Sequence, residues 1–151
     1  MDFELSDDQV ALQEAARGLL DGRSAPAQVR AHLASGALLD QKLWDSMVEQ
    51  GWLGVDLPED RGGLGLGFVE AAVLMEEVGR HAAPAPFAST LLALDATGDG
   101  SLLEGAVGAI GWWDGRADRV LVPYAPAADV VVLVGPDRVT RHDVRPAAEP
   151  A

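Results

Sequence analysis

Three stretches of the chain hold residues whose types and spacing could do chemistry. The first is Gly62-Gly63-Leu64-Gly65-Leu66-Gly67, because closely spaced glycines let backbone N–H groups wrap a phosphate. A P-loop adds a Lys and a Ser or Thr at the helix start, where this chain has Phe68-Val69-Glu70. A dinucleotide fingerprint follows a strand with GxGxxG spacing, whereas the spacing here is GxGxG behind a loop. The glycines therefore read as a structural turn. The second stretch is Glu76-Glu77. Paired carboxylates can share acid and base work, but neighbours on a helix point about 100° apart and do not face each other, so both read as solvated or cap-bound. The third is Arg141-His142-Asp143, which reads as the surface end of a strand because nothing places a base beside a nucleophile. His81 and Asp114 likewise read as surface or capping residues.

Composition narrows the chemistry further. The chain has no cysteine, which excludes disulfides, thiolate nucleophiles and Cys-ligated zinc or iron–sulfur sites. His32, His81 and His142 are scattered and leave little for a His-rich metal site. The 24 acidic residues outnumber 11 basic ones for a net charge of -13, which argues against nucleic acid and anionic membrane surfaces. No apolar run approaches a membrane span, and Met1-Asp2-Phe3-Glu4 has the wrong sign for a signal peptide. A soluble, cytoplasmic protein is expected. At 151 residues and 48% hydrophobic, the chain can build a core.

The elements that must position these residues change character along the chain. Residues 1–60 hold 12 acids and 4 bases, residues 61–104 hold 6 and 2, and residues 105–151 hold 6 and 5. The first two stretches read as helices. Ser6-Asp7-Asp8-Gln9 is a capping-box pattern, followed by Leu12, Ala15, Ala16, Leu19 and Leu20 at helical spacing and by Gly22 as a stop. A second helix runs from Ala25 to Ala34, with Pro26 in its first turn. Asp40 caps a third, whose Leu43, Trp44, Met47 and Val48 form an apolar stripe before Gly51. Phe68 to Val78 is the most regular helix, with Ala71, Leu74, Met75 and Val78 on one stripe. Pro84 and Pro86 bracket a break, after which Ser89 or Thr90 starts the apolar helix Leu91-Leu92-Ala93-Leu94 and Ser101–Glu104 forms a short turn.

The last stretch reads as strands: a weak one over Gly105–Gly111, then Val120–Val122, Val130–Val134 and, after the turn Gly135-Pro136-Asp137, Arg138–Arg141. The expected fold class is α+β, an all-α helical domain over 1–104 followed by a small, incomplete antiparallel β-domain over 105–146. Residues 147–151 are too rich in Pro and Ala to order themselves. So small a sheet with open edges looks like part of a larger β-domain.

Four segments in register resemble the N-terminal helical domain of the acyl-CoA dehydrogenases. Leu5–Gln9 resembles that family's opening segment, and Leu43–Gly54 its "W-x-x-l-x-e-x-G-w-l-g" stretch. Pro58–Gly65 resembles its "P-E-x-x-G-G-x-G" turn, and Met75–Arg80 its "x-E-E-l-g-r" helix end. Val122–Leu133 is similar to the "v-x-x-A-x-x-A-D-x-l-l-v" of the middle β-domain. The resemblance implies α,β-dehydrogenation of an acyl-CoA thioester with FAD, in which a carboxylate takes the α-proton and the flavin takes the β-hydrogen as hydride. Family members run to more than twice this length, with the base and much of the flavin site on a C-terminal helical bundle. The family's "T-E-P-x-x-G-S-D" and "W-x-x-N" segments have no match between Glu104 and Val120, and Trp112-Trp113 lacks the following Thr-Asn.

Pro84–Thr90 looks most like the short, non-catalytic subunits of the family's mixed complexes. By the resemblance, Phe87, Thr90, Leu91 and Leu94 are candidate substrate-binding walls at the acyl end of the pocket, the alternative being that they pack the helical core. No catalytic or metal-binding residue is assigned. FAD is expected in the assembled enzyme and is doubtful for this chain alone. The expected partner is an acyl-CoA dehydrogenase-like subunit supplying the C-terminal bundle, unless the chain is a truncated piece. The competing function is a stand-alone binding or scaffolding module derived from the helical domain.

Overall fold

The computed structural model describes residues 4–144. Six helices, α1 (Asp7–Arg23), α2 (Pro26–Ser35), α3 (Gln41–Glu49), α4 (Phe68–Arg80), α5 (Phe87–Thr97) and α6 (Gly100–Leu103), precede the strands β1 (Gly108–Trp112), β2 (Val130–Val134) and β3 (Val139–Asp143). This is the expected α+β order. The chain divides into two compact units between Phe87 and Ala88, inside α5, whereas the change in charge and residue type falls after residue 104. The tail expected over 147–151 lies outside the described residues.

In the first unit the sequence signals act where they stand. The Ser6 hydroxyl accepts from the Gln9 N–H at 3.2 Å and the Gln9 side chain accepts from the Ser6 N–H at 2.9 Å, closing the capping box of α1. Asp40 accepts from the Leu43 N–H at 3.1 Å to start α3. Leu43, Trp44 and Met47 are fully buried along its stripe. α1 packs along α4, with Ala16 and Leu20 buried on one and Ala71, Val73 and Leu74 on the other. The segment between α3 and α4 is pinned by its own backbone: Leu64, Gly65 and Leu66 donate to the carbonyls of Gly54, Leu57 and Val55 at 2.8, 2.8 and 3.1 Å. Gly63 has no alternative there, since a Cβ would stand 2.2 Å from the Leu57 carbonyl oxygen.

The second unit corrects the expected sheet. β1 and β2 pair in parallel, from Gly108↔Val130 to Trp112↔Val134, and only β2 and β3 are antiparallel. The sheet is therefore mixed, because β1 and β2 are joined by a crossover over 113–129 and not by a hairpin. Val120–Val122, expected as a strand, belongs to that crossover. Its alternation comes from packing on the sheet instead of pairing with it: a Cβ on Gly111 would meet Val122 at 2.7 Å and Val120 at 3.4 Å, while Leu121 is 91% exposed. The β2–β3 hairpin forms as read, with the Gly135 N–H donating to the Arg138 carbonyl at 2.8 Å.

Asp129 fixes the start of the sheet. Its carboxylate accepts from the Val107 N–H at 2.8 Å, its own N–H donates to the Val107 carbonyl at 2.9 Å, and its carbonyl accepts from the Val144 N–H at 2.9 Å. The outer edge of β1, expected to be open, is occupied by α5. The Thr90 hydroxyl accepts from the Gly108 N–H at 3.0 Å and donates to the Gly108 carbonyl at 3.1 Å, and Ser89 accepts from the Ile110 N–H at 3.2 Å. On β3, the bonds Gly135–Arg138 and Val144–Asp129 set the alternation so that the backbone groups of Val139, Arg141 and Asp143 turn away from β2.

Candidate functional site

α5 places Phe87, Thr90, Leu91 and Leu94 at i, i+3, i+4 and i+7, one face of a helix. All four are at most 2% exposed. Phe87 meets Trp52 edge-on, with ring centroids 5.9 Å apart at 72°. Thr90 has both hydrogen-bonding capacities engaged by Gly108, so the stripe offers no unpaired polar atom.

Two concavities lie elsewhere. In the first unit a space of ≈ 100 Å³ is lined by Leu12, Ala15, Ala16 and Leu19 of α1 with Gln50, Trp52, Val55, Leu64 and Leu74. In the second, a space of ≈ 500 Å³ opens over one face of the sheet, within the size range of small-molecule sites. Val131 and Leu133 form its floor and Trp113, Val120 and Val122 a wall. Arg138, Thr140 and His142 line it from β3, alternate residues sharing a face. The His142 Nε2 lies 3.0 Å from the Thr140 hydroxyl, and Asp118 also lines the space. None of the four α5 residues lines either space.

The acid pair on α4 splits in a way its spacing did not announce. Glu76 is exposed and pairs with Arg80 at 2.6 Å. Glu77, read as solvated or cap-bound, is instead fully buried. Arg17 of α1 reaches it through Nη2 at 2.8 Å and Nε at 3.3 Å, with the Arg80 Nε at 3.6 Å and the His81 Nδ1 at 3.9 Å. The Arg17 hydrogen bond, with the charges of Arg17, Arg80 and His81, holds the Glu77 carboxyl below the usual range against the opposing effect of burial. His81 also lies 2.8 Å from the Glu77 carbonyl and 3.0 Å from Asp21. The visible signal was placement: Glu77 follows Leu74 by three on the buried side of α4, and Arg17 adjoins buried Ala16.

Three further acids are structural too. Glu70 accepts from the Gly67 N–H at 2.8 Å and from Gln9 at 2.9 Å, and the Gln9 bond leads the causes that lower its pKa. Asp114 acts as a turn cap, accepting from the Arg116 and Ala117 N–H groups, which depress its pKa. Asp99 caps α6 through Ser101 and pairs with Arg141, and its pKa is lowered by those two in that order. These three acids position backbone.

A flavin dinucleotide asks for cations or N–H groups at its two phosphates and for donors along its ring edge. The N–H groups of residues 62–67 all have internal acceptors: Glu59, Pro58, Gly54, Leu57, Val55 and the Glu70 carboxylate in turn. Among the described residues no buried side-chain polar atom lacks a partner. The larger concavity offers Arg138 as its one arginine, with Asp118 also in its lining. These residues do not fit the dinucleotide by themselves. Among the described residues no group of three or more His, Cys, Asp or Glu could hold a metal, and no helix is long and apolar enough to cross a membrane.

Comparison with known proteins meets this arrangement at several points. Residues 6–100 match the family model for the acyl-CoA dehydrogenase N-terminal domain. The chain is 33% identical over 141 residues to acyl-CoA dehydrogenase IpdE2 of Mycobacterium tuberculosis, covering 86% of this chain and 43% of that one. It is 35% identical over 80 residues to benzylmalonyl-CoA dehydrogenase of Aromatoleum aromaticum, covering 53% and 21%. Among solved structures, a variant of the Tcur3481-Tcur3483 steroid ACAD superposes with a TM-score of 0.67 at 29% identity, covering 91% of this chain and 48% of that one. The ChsE4-ChsE5 complex from Mycobacterium tuberculosis shares the fold, with a TM-score of 0.72 at 19% identity over 95% and 48%. The chain thus spans less than half the length of these relatives.

Proposed function

The chain belongs to the acyl-CoA dehydrogenase family, and on that premise we propose that it is a subunit or N-terminal portion of an FAD-dependent enzyme that α,β-dehydrogenates an acyl-CoA thioester. It is catalytically incomplete by itself. A second acyl-CoA dehydrogenase-like polypeptide, or a continuation of this one, supplies the C-terminal bundle with the base and most of the flavin site. The observation that carries this reading is the state of the chain's own polar groups. The one buried carboxylate among the described residues, Glu77, is bound by Arg17, and the glycine-turn N–H groups are internally bonded. What it offers is a scaffold. Structures of relatives described as two-component assemblies support the split arrangement.

In this reading the α5 stripe Phe87, Thr90, Leu91 and Leu94 backs the acyl end of the pocket. Its lack of any unpaired polar atom supports that role, since such an atom facing an acyl chain costs about 1–3 kcal/mol.

The test is co-expression with the genes that neighbour this one. Co-elution with such a partner, visible flavin absorbance and acceptor-dependent oxidation of an acyl-CoA panel that includes steroid thioesters are expected. A folded, flavin-free monomer that ignores every such partner refutes the split-subunit form of the proposal and favours the scaffolding module.

A further inference from the structure

The turn between α3 and α4 holds apolar side chains out into solvent from a backbone that cannot relax. Leu64, Leu66, Phe68 and Val69 are 47, 50, 67 and 52% exposed, four large apolar residues within six positions. The N–H groups of Leu64 and Leu66 are bonded to the 54–55 backbone and Gly63 is wedged against Leu57. Glu70 ties the Gly67 N–H and, through Gln9, the first turn of α1, where Val10 is 39% exposed. Scattered single apolar residues on a surface are ordinary; a contiguous, rigidly held group marks an interaction site, because the ordering cost of binding is already met.

Charge decides what the group fits. The turn itself and the first turn of α1, which Gln9 ties to Glu70, carry the exposed acids Asp7, Asp8, Glu59 and Asp60, with the half-buried Glu70, against a single base, Arg61. The Glu59 side chain lies against Gly65 itself, 3.2 Å from where a Cβ would be. A second copy of this chain would bring two such acidic rims together, and an anionic membrane would meet the same repulsion.

Resting on the function proposed above, we propose that Leu64–Val69 is the docking surface for the partner polypeptide. The partner presents apolar side chains flanked by Lys and Arg. Apolar contact supplies the affinity, and the acidic rim supplies steering and the choice of partner.

The experiment uses the full chain co-expressed with its neighbouring genes, carrying a photo-crosslinking amino acid at Phe68 or, as a second exposed apolar position, at Leu33 (72% exposed). Crosslinking at 68 but not at 33, to a partner peptide containing Lys or Arg beside apolar residues, is the expected result. F68S should weaken association at least tenfold, with unchanged melting and circular dichroism, and L33S should leave it unchanged. Raising the salt from 50 to 500 mM should slow association. A complex that forms with crosslinks only at 33, or that F68S leaves intact, overturns the surface while the proposed function stands. Failure of any complex to form overturns the partner surface and the split-subunit form of the proposed function together. Concentration-dependent self-association lost in F68S, or F68S-sensitive binding to phosphatidylserine vesicles, also overturns the assignment of the occupant.

Discussion

Replacing Glu77 with Gln tests whether the buried pair holds α1 to α4. The change keeps the shape of the side chain and removes the charge that Arg17 binds at 2.8 and 3.3 Å. A hydrogen bond to a charged group contributes about 1.5–3 kcal/mol, and Arg17 is 43% exposed and regains water when released, so a loss of about 2 kcal/mol is expected for E77Q. R17M should cost more, about 3 kcal/mol, because it leaves a fully buried carboxylate with the more distant Arg80 Nε at 3.6 Å. The double variant should fall short of the sum by about 1 kcal/mol or more, as groups acting on each other do. Urea unfolding followed by the fluorescence of buried Trp44 and Trp52 measures all three. The pH dependence has a definite sign. The folded carboxyl lies below its ordinary 4.5, so its stabilisation is full above that value and is lost as pH falls through the lower, folded one. E77Q should therefore show a shallower acid limb. Additive single changes, or an acid limb that E77Q leaves untouched, would refute the reasoning.

Other outcomes follow from single contacts. Gly63→Ala should destabilise by about 3 kcal/mol, since its Cβ collides with backbone at Leu57, whereas Gly18→Ala should stabilise by about 0.5–1 kcal/mol because that exposed α1 position has open space; paired thermal melts separate the two. Thr90→Val keeps the volume and strips Gly108 of both partners, so a loss of about 2–4 kcal/mol is expected, with hydrogen exchange at the Gly108 amide rising most. Asp129→Ala should cost about 1–2 kcal/mol by orphaning the buried Val107 N–H, read from urea midpoints at unchanged m.

The helical half was legible because its signals are local. Ser6, Asp40 and Gly36 sit at helix ends, where capping and left-handed geometry are decided by residues a turn away. Expected and observed helices differ mainly at α5, which starts at Phe87 directly after Pro86. The sheet was less legible because pairing direction is set by where the chain returns, not by the strand's own residues. Val120 and Val122 imitate a strand because packing on a sheet face also has a period of two. Glu77 escaped for the opposite reason. Adjacent glutamates look alike in sequence; Glu77 turns inward by its place three residues after Leu74 on the buried side of α4, and its partner Arg17 stands sixty residues earlier. The α5 stripe was expected as pocket wall or core; its residues are buried, and Thr90 bonds to the strand.

The pair of hydroxyls on α5 also bears on the order in which the second unit is made. Ser89 and Thr90 leave the ribosome before any strand does, and β1 follows them closely in sequence. Once β1 docks, its edge toward the helix is taken at Gly108 and Ile110. When β2 emerges after the crossover it finds only the opposite edge open, and Asp129 at its start fits the Val107 backbone in one register. A nascent chain is thereby spared the choice between two sides of β1. The sheet can grow in one direction alone, outward through β3.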